Sequence, residues 1–362
     1  DISVQSTTGQ DKFNVYLRSS FANATFRGDD FVTNFIDKLL DITIFKNLDA
    51  VFQREKKSVY SGNMKRYTLN VEFNDTKAVS QMVLPGLNIA AGTTIKAEIN
   101  ENDNFNIDIS SKKIGYGKTY ADNLLMNISG NYNEIGSSLK SDVIHLSGFN
   151  LEGSMLTLKL KDNLLKINSE YSNKGELENK LDFSSEILFT SLGYKKNYIT
   201  DISIDSSEIF LNGERWKFAK SKIVKQDSTV VFHDFKLFRS DQYLNIDGII
   251  STNPMDTLSV VLKDLDITPL NSFMPSNLKL AGIFTGSATM LDLYKSPQVL
   301  INAKGREVSV NDRIAGEFNI NSEWDNLRKS FNFNISNKKN GIEAISVTGY
   351  LRPSDDYLSA SL

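Results

Sequence analysis

The chain has no cysteine, two histidines, six prolines and two tryptophans in 362 residues. Without cysteine it cannot form disulfides, thiolate metal sites or a cysteine nucleophile. The histidines, His145 and His233, stand far apart and in no metal-spaced cluster, so a zinc site is not expected. No apolar run approaches the ~20 residues a membrane-spanning helix needs, and no secretory leader opens the chain. An excess of one charge is lacking too: 41 basic residues stand against 44 acidic ones, for a net charge of −3. A surface that tracks phosphates needs concentrated basic charge, so nucleic-acid binding is not expected. The chain opens in one strand-like alternation (Ile2, Val4) and closes in another (Leu358, Ala360, Leu362). It therefore reads as an excised piece of a longer protein, whose targeting these residues do not report.

What the sequence does have is period two. Strand side chains alternate between faces, so apolar residues at i, i+2 and i+4 line one of them. Phe13, Val15 and Leu17 alternate with polar or amphipathic residues, and so do Leu69, Val71 and Phe73. The same holds for Phe105, Ile107 and Ile109, for Leu156, Leu158 and Leu160, and for Phe331, Phe333 and Ile335. Strands with one dry and one wet face belong to antiparallel sheets rather than to buried parallel ones. Asn212-Gly213 and Asn340-Gly341 are two-residue hairpin signals. Three short helices are expected. One carries Phe31, Phe35, Ile36, Leu39 and Leu40 and is capped by Asp29 or Asp30; one runs from Asp75 or Thr76 to before Pro85; one runs from Thr268 to about Pro275.

Two weak self-similarities recur: residues 69–92 resemble 260–282, and 244–262 resemble 345–362. With no Gly/Pro-rich linker to divide it, the chain is expected to be one continuous body over 1–362. A β-sandwich closes within ~100 residues, and this alternation runs far longer. Its apolar face must fold onto another sheet, close into a barrel, wind into a helix or curl into a trough.

The stretch from Trp216 to Trp324 resembles the AsmA-like superfamily, and most closely the C-terminal region of its TamB-like translocation and assembly module branch. The likeness rests on an ordered series. It runs through Trp216-Lys217-Phe218, Phe232 to Leu237, the Gly248 strand, and Leu258 to Leu265 with its Asp264-Leu265 end. It continues with Leu280-Ala281-Gly282-Ile283-Phe284-Thr285-Gly286 as an L-x-G-x-x-x-G strand, and Pro297. Pro85 to Gly130 reads similarly, and residues 1–65 match least. The resemblance implies an all-β, elongated, curled antiparallel sheet, a taco-like trough with an apolar inner face. It further implies a periplasmic location in a Gram-negative cell and an inner-membrane anchor outside these residues. Phospholipid acyl chains would be the cargo, with a BamA-like outer-membrane barrel as partner. The expected groove lining is Leu69, Val71, Phe73, Ile107, Leu124, Met126, Leu156, Leu158, Ile246, Leu258, Val260, Leu262, Phe331 and Phe333.

No catalytic role is expected, and no cofactor. Gly115-Tyr116-Gly117-Lys118-Thr119 imitates the end of a phosphate loop, but Lys112 stands where the motif needs glycine, so a hairpin is expected. Glu101-Asn102-Asp103-Asn104 lacks the glycine and later glutamate of a calcium loop and reads as a turn. Asp355-Asp356 suggests no buried acid pair of the glycosidase kind, and no G-x-S-x-G elbow is present. Trp216 and Trp324 suit core or edge packing better than sugar stacking. Two other functions stay open: a scaffold for outer-membrane protein assembly, and a surface carbohydrate-binding or adhesin β-module.

Overall fold

The computed structural model describes residues 2–9, 12–52, 65–77, 84–146, 149–173, 179–193, 197–211, 213–268, 271, 279–325, 327–339, 341–352 and 357–361. Among these the protein is all-β, with 25 strands and one short helical stretch. Contacts group the chain, for which the sequence suggests one body, into two compact units: Asp1–Gly175 with Lys180–Tyr198, and Glu176–Asn179 with Ile199–Leu362.

Unit 1 holds β1 (Ile2–Gly9), β2 (Lys12–Ser19), β3 (Ala22–Gly28), β4 (Tyr67–Phe73), β5 (Leu87–Ile89), β6 (Thr94–Ile99), β7 (Phe105–Tyr116), β8 (Thr119–Gly130), β9 (Ile135–Leu146), β10 (Phe149–Lys161), β11 (Leu164–Asn173) and β12 (Asn179–Ser191). From β1 to β11 each strand pairs antiparallel with the next, except that β4 skips to β6 and β5 joins the far end of β7. Residues directly opposite in such pairs share a face, so the registers trace rows across the sheet. One row runs Val15, Phe26, Leu69, Ala97, Ile107, Ile128, Ser137, Leu158, Ile167. The next runs Val4, Leu17, Ala24, Val71, Ile95, Ile109, Met126, Leu139, Leu156. The row between them, on the other face, runs Thr25, Asn70, Lys96, Asp108, Asn127, Ser138, Thr157, Asn168. One face of ten consecutive strands is thus apolar, and the opposite one is polar.

Helix α1 (Val32–Leu40) follows β3, runs on through a π-helical turn (Asp41–Phe45) and leads to α2 (Asp49–Phe52). It lies on the apolar face. Phe35 (1% exposed) and Ile42 sit in one buried cluster with Phe26, Tyr67, Ala97, Ile99 and Phe105; Val15 and Ile135 pack against it at its margins. Seven neighbouring strands, β2 to β4 and β6 to β9, therefore contribute to a single core beneath one helical stretch. At its far end, the amide Nδ2 of Asn163 in the β10–β11 turn donates to Asp49 Oδ1 (2.6 Å), and Asn163 Oδ1 accepts from the Ala50 amide (3.0 Å). The N-cap is Phe31 rather than Asp29 or Asp30. The Asp29 carboxylate instead accepts from the Arg66 amide (2.8 Å), and Asp30 pairs with Lys65, so both acids tie the helix entry to β4. The helices expected near 76–84 and 268–275 lie almost entirely outside the described residues.

Unit 2 holds β13 (Tyr198–Ile204), β14 (Ser207–Leu211), β15 (Glu214–Phe218), β16 (Ser221–Gln226), β17 (Thr229–Arg239), β18 (Gln242–Ile250), β19 (Thr257–Asp266), β20 (Leu280–Leu291), β21 (Gln298–Val310), β22 (Arg313–Asp325), β23 (Ser330–Lys339), β24 (Ile342–Arg352) and β25 (Tyr357–Ser361). From β16 onward each strand pairs antiparallel with its successor. A row runs Phe218, Leu237, Leu244, Leu262, Gly286, Ala303, Ile320, Ile335, Val347. The tight links Leu211↔Glu214 and Lys339↔Ile342 fall where the two-residue hairpins are expected.

Bulges interrupt these strands at regular places. Phe232 and Phe235 are three residues apart, yet they oppose Gly248 and Ile246, which are two apart. Leu262 and Leu265 likewise oppose Gly286 and Phe284. One extra residue on the bulged strand keeps both its apolar neighbours on the same face while bending the strand. Asp234 (φ 48°) and Asp264 (φ 45°) occupy these bulges in the left-handed region, which Asp tolerates better than most side chains.

Candidate functional site

The residues expected to line a groove fall on one face in each unit. In unit 1, Leu69, Val71, Phe73, Ile107, Leu124, Met126, Leu156 and Leu158 belong to the apolar side. In unit 2, Ile246 opposes Val260, Leu258 and Leu262 flank Val260 at two-residue steps, and Phe331 and Phe333 stand in phase with Ile335 of the same row. Leu124, Leu258 and Phe331 are buried; the other eleven are only half-buried. A core strand would enclose such residues. Here most of them keep open surface, because beyond the reach of α1 the described residues place little on top of them.

The sequence suggests that the first helix plugs or caps the trough; in unit 1, α1 covers part of the apolar face and leaves part of its own apolar surface exposed. Lys38 pairs with Asp103 in the β6–β7 turn, so that side of α1 looks toward the strand ends. Successive helical residues turn by about 100°. Phe35, Leu39 and Ile42 thus point down onto the sheet, and Ile36 and Leu40 lie about 160° from Lys38, looking back along the strands. Ile36 is 50% exposed, and Val32 and Leu40 are exposed beside it. A signal was present: Phe31, Val32, Phe35, Ile36, Leu39 and Leu40 form too wide an apolar arc for a helix buried on one side.

Polar groups secure the margins of this region. Lys65 holds the Asp30 carboxyl below the usual carboxylate range, chiefly by hydrogen bonding and against the opposing effect of burial. Arg66 bonds Glu101 across the β6–β7 turn. Burial, and then the nearby charges of Asp103 and Asp41, push the Tyr132 phenol up to about 12. Lys46 sits 4.8 Å from the centre of the Tyr132 ring, a cation–π contact.

The groups that imitate active sites have structural partners. His145 bonds Asp122 (2.8 Å) and Asn150 (2.9 Å) and stacks on Tyr120. His233 is exposed on β17. Gly117 and Lys118 form the turn between paired Tyr116 and Thr119, and residues 101–104 turn between paired Ile99 and Phe105. Asn100 Oδ1 accepts from the amides of Asn102 and Asn104 there. Trp216 is buried (2% exposed), and Trp324 meets Phe331 edge-on at 4.7 Å. Asp355-Asp356 lies outside the described residues. Among the described residues, no group of three or more His, Cys, Asp or Glu could hold a metal ion, and no helix is long and apolar enough to cross a membrane.

No family model, no curated protein and no solved structure matches the chain.

Proposed function

We propose that this chain is a section of a periplasmic groove that holds phospholipid acyl chains and passes them between inner and outer membrane, in support of outer-membrane biogenesis. The observation that carries this reading is the half-buried apolar face continued from strand to strand within each unit, with a polar face behind it. Acyl chains need such a surface and little else. Each buried CH₂ is worth ~0.8 kcal/mol, so exposing a 16-carbon tail to water costs on the order of 12 kcal/mol. A continuous dry floor removes most of that barrier and lets a tail slide, because no single contact is strong. The AsmA-like resemblance supports the compartment and the cargo; the anchor and a barrel partner in the outer membrane come with it.

A sugar-binding or adhesin module has less support. Neither tryptophan is offered as a stacking platform, since Trp216 is buried and Trp324 packs on Phe331, and the exposed tyrosines Tyr116 and Tyr294 stand one in each unit.

The test is native mass spectrometry of the purified chain, with lipid extraction from the same sample. Near-stoichiometric phospholipid is expected, and it should fall at least several-fold in Leu158→Asp and Val260→Asp while the circular dichroism spectrum holds. A folded, lipid-free wild type, or charged variants loaded like the wild type, would overturn the reading.

A further inference from the structure

We propose that a cavity in unit 1 binds a phosphoethanolamine diester, presented as the headgroup of a phospholipid whose tails lie on the apolar face; that source rests on the groove reading. The cavity holds about 630 Å³, within the ~300–1,000 Å³ that ligand sites use. It lies beside the β8–β9 and β10–β11 turns. Ser129, Gly136, Lys159 and Lys166 stand opposite one another there, two residues along from the polar row of Asn127, Ser138, Thr157 and Asn168. Gly136 leaves a gap in that row: a Cβ on it would meet only the Ser129 carbonyl oxygen, at 3.9 Å. Leu164 and Leu188 give the cavity an apolar wall, and Leu188 is 40% exposed.

Charges of both signs line this space: Lys159, Lys161 and Lys166 on one hand, Glu134 and Asp162 on the other. Lys166 is engaged by Glu186 at 2.6 Å. Among the described residues, Lys159, Lys161, Glu134 and Asp162 have no ion-pair partner, neither one another nor a third group. Opposite charges that share a cavity without pairing suit a ligand that itself carries both. A phosphodiester is held by lysine ammonium groups acting as point charges. A primary ammonium donates up to three hydrogen bonds, which carboxylates accept. A quaternary ammonium is recognised by an aromatic cage, and among the described residues no aromatic side chain lines this cavity. A purely anionic headgroup would face Glu134 and Asp162 with nothing to offer them. The chemistry therefore selects phosphoethanolamine over phosphocholine and phosphoglycerol.

The cavity also reaches the rim of the sheet. Ile135 and Leu160 line it as well; they oppose each other in register and keep step with Leu158 of the apolar face. A headgroup seated among the lysines thus leaves its tails next to that face.

The probes are three esters without tails: glycerophosphoethanolamine, glycerophosphocholine and glycerophosphoglycerol. Calorimetry with the full 362-residue chain should show saturable binding of the first and at least tenfold weaker binding of the other two. Gly136→Leu fills the gap, and Lys159→Gln with Lys161→Gln removes the phosphate's partners; each should weaken binding at least tenfold while the circular dichroism melt holds. Glu134→Gln should erase the preference for ethanolamine over glycerol. Loaded from an equimolar mixture of phosphatidylethanolamine and phosphatidylglycerol, the chain should hold the first in several-fold excess, and Glu134→Gln should lose that excess. No saturable binding, equal affinity for the three esters, or wild-type affinity in both the Gly136 and the lysine variants would overturn the proposal. Selective ester binding by a chain that takes up no lipid would keep the cavity, with a free phosphodiester as its ligand, and sink the groove reading. Lipid uptake with no ester selectivity would do the reverse.

Discussion

Phe35 is the residue on which the unit 1 core closes: its ring lies 5.8 Å from Phe26 and 5.7 Å from Tyr67, under a helix that follows directly from β3. Truncating a buried phenylalanine removes its transfer free energy and leaves a cavity. Phe35→Ala should therefore destabilise unit 1 by about 3–5 kcal/mol, read as a lower urea midpoint. Gly248 tests backbone rather than packing. Its φ is +123°, and a Cβ there would stand 2.2 Å from the Thr257 carbonyl oxygen. Gly248→Ala should cost roughly 1–3 kcal/mol. Tyr132 gives a pH signature of its own. Its folded pKa lies above the unfolded value near 10, so its contribution is full below pH 10 and is lost as pH rises toward about 12. Burial raises the Tyr171 phenol too, so ultraviolet titration should show two phenols ionising late, together with alkaline loss of unit 1 structure, and Tyr132→Phe should remove one of them. Asp30 has the opposite sign: its contribution holds above the unfolded carboxylate value and fades as pH falls through its lowered folded value.

At the scale of strands and helices, alternation was readable and its slips were not. Leu258, Val260 and Leu262 are legible as one face because they keep step. Leu265 joins them only through the bulge at Asp264, which a strict period of two places on the wrong side. Phe235 is misread in the same way across Asp234. The bulges were hidden because a period of two assigns Asp264 to the face of Leu262 and Asp234 to the face of Phe232, and a charge there looks like the end of the apolar alternation until its backbone is seen. Asp264→Asn keeps a side chain that accepts positive φ and loses mainly an exposed ion pair with Arg306, so it should change stability by less than about 1 kcal/mol. Deleting Asp264 should instead set Leu265 two residues from Leu262, so both stay on one face in a regular ladder without the bend, and the cooperative melt followed by far-ultraviolet circular dichroism should survive. The first helix was visible in the spacing of Phe35 and Leu39. Its continuation into α2 was not, because that stretch is held by Asn163, more than a hundred residues away in sequence. Ile36 belongs to the exposed side of α1, so Ile36→Asp should leave stability within about 0.5 kcal/mol while reducing lipid occupancy. A large loss of stability would instead place Ile36 in the core.

Taken whole, each unit combines an ordered backbone with apolar surface left partly open, two properties that seldom occur together in a soluble core. The native chain should enhance the fluorescence of an apolar dye such as ANS while keeping a full near-ultraviolet circular dichroism spectrum. A molten state would bind the dye but lose that spectrum. Added phospholipid should displace the dye, and Leu158→Asp with Val260→Asp should weaken its binding.

The succession of neighbour-paired strands also bears on how the molecule is made. In unit 2 every strand from β17 to β25 finds its partner in the strand just before it. Closing such pairs requires only short loops, which form quickly. A strand can therefore settle as soon as it emerges, whether from a ribosome or from a translocation pore, without waiting for the rest of the chain. Unit 1 departs from this at β4, which must return to β3 across the residues between Gly28 and Tyr67. The slowest step in building unit 1 should fall there, so its assembly would be vectorial with an early pause while the helical stretch is seated.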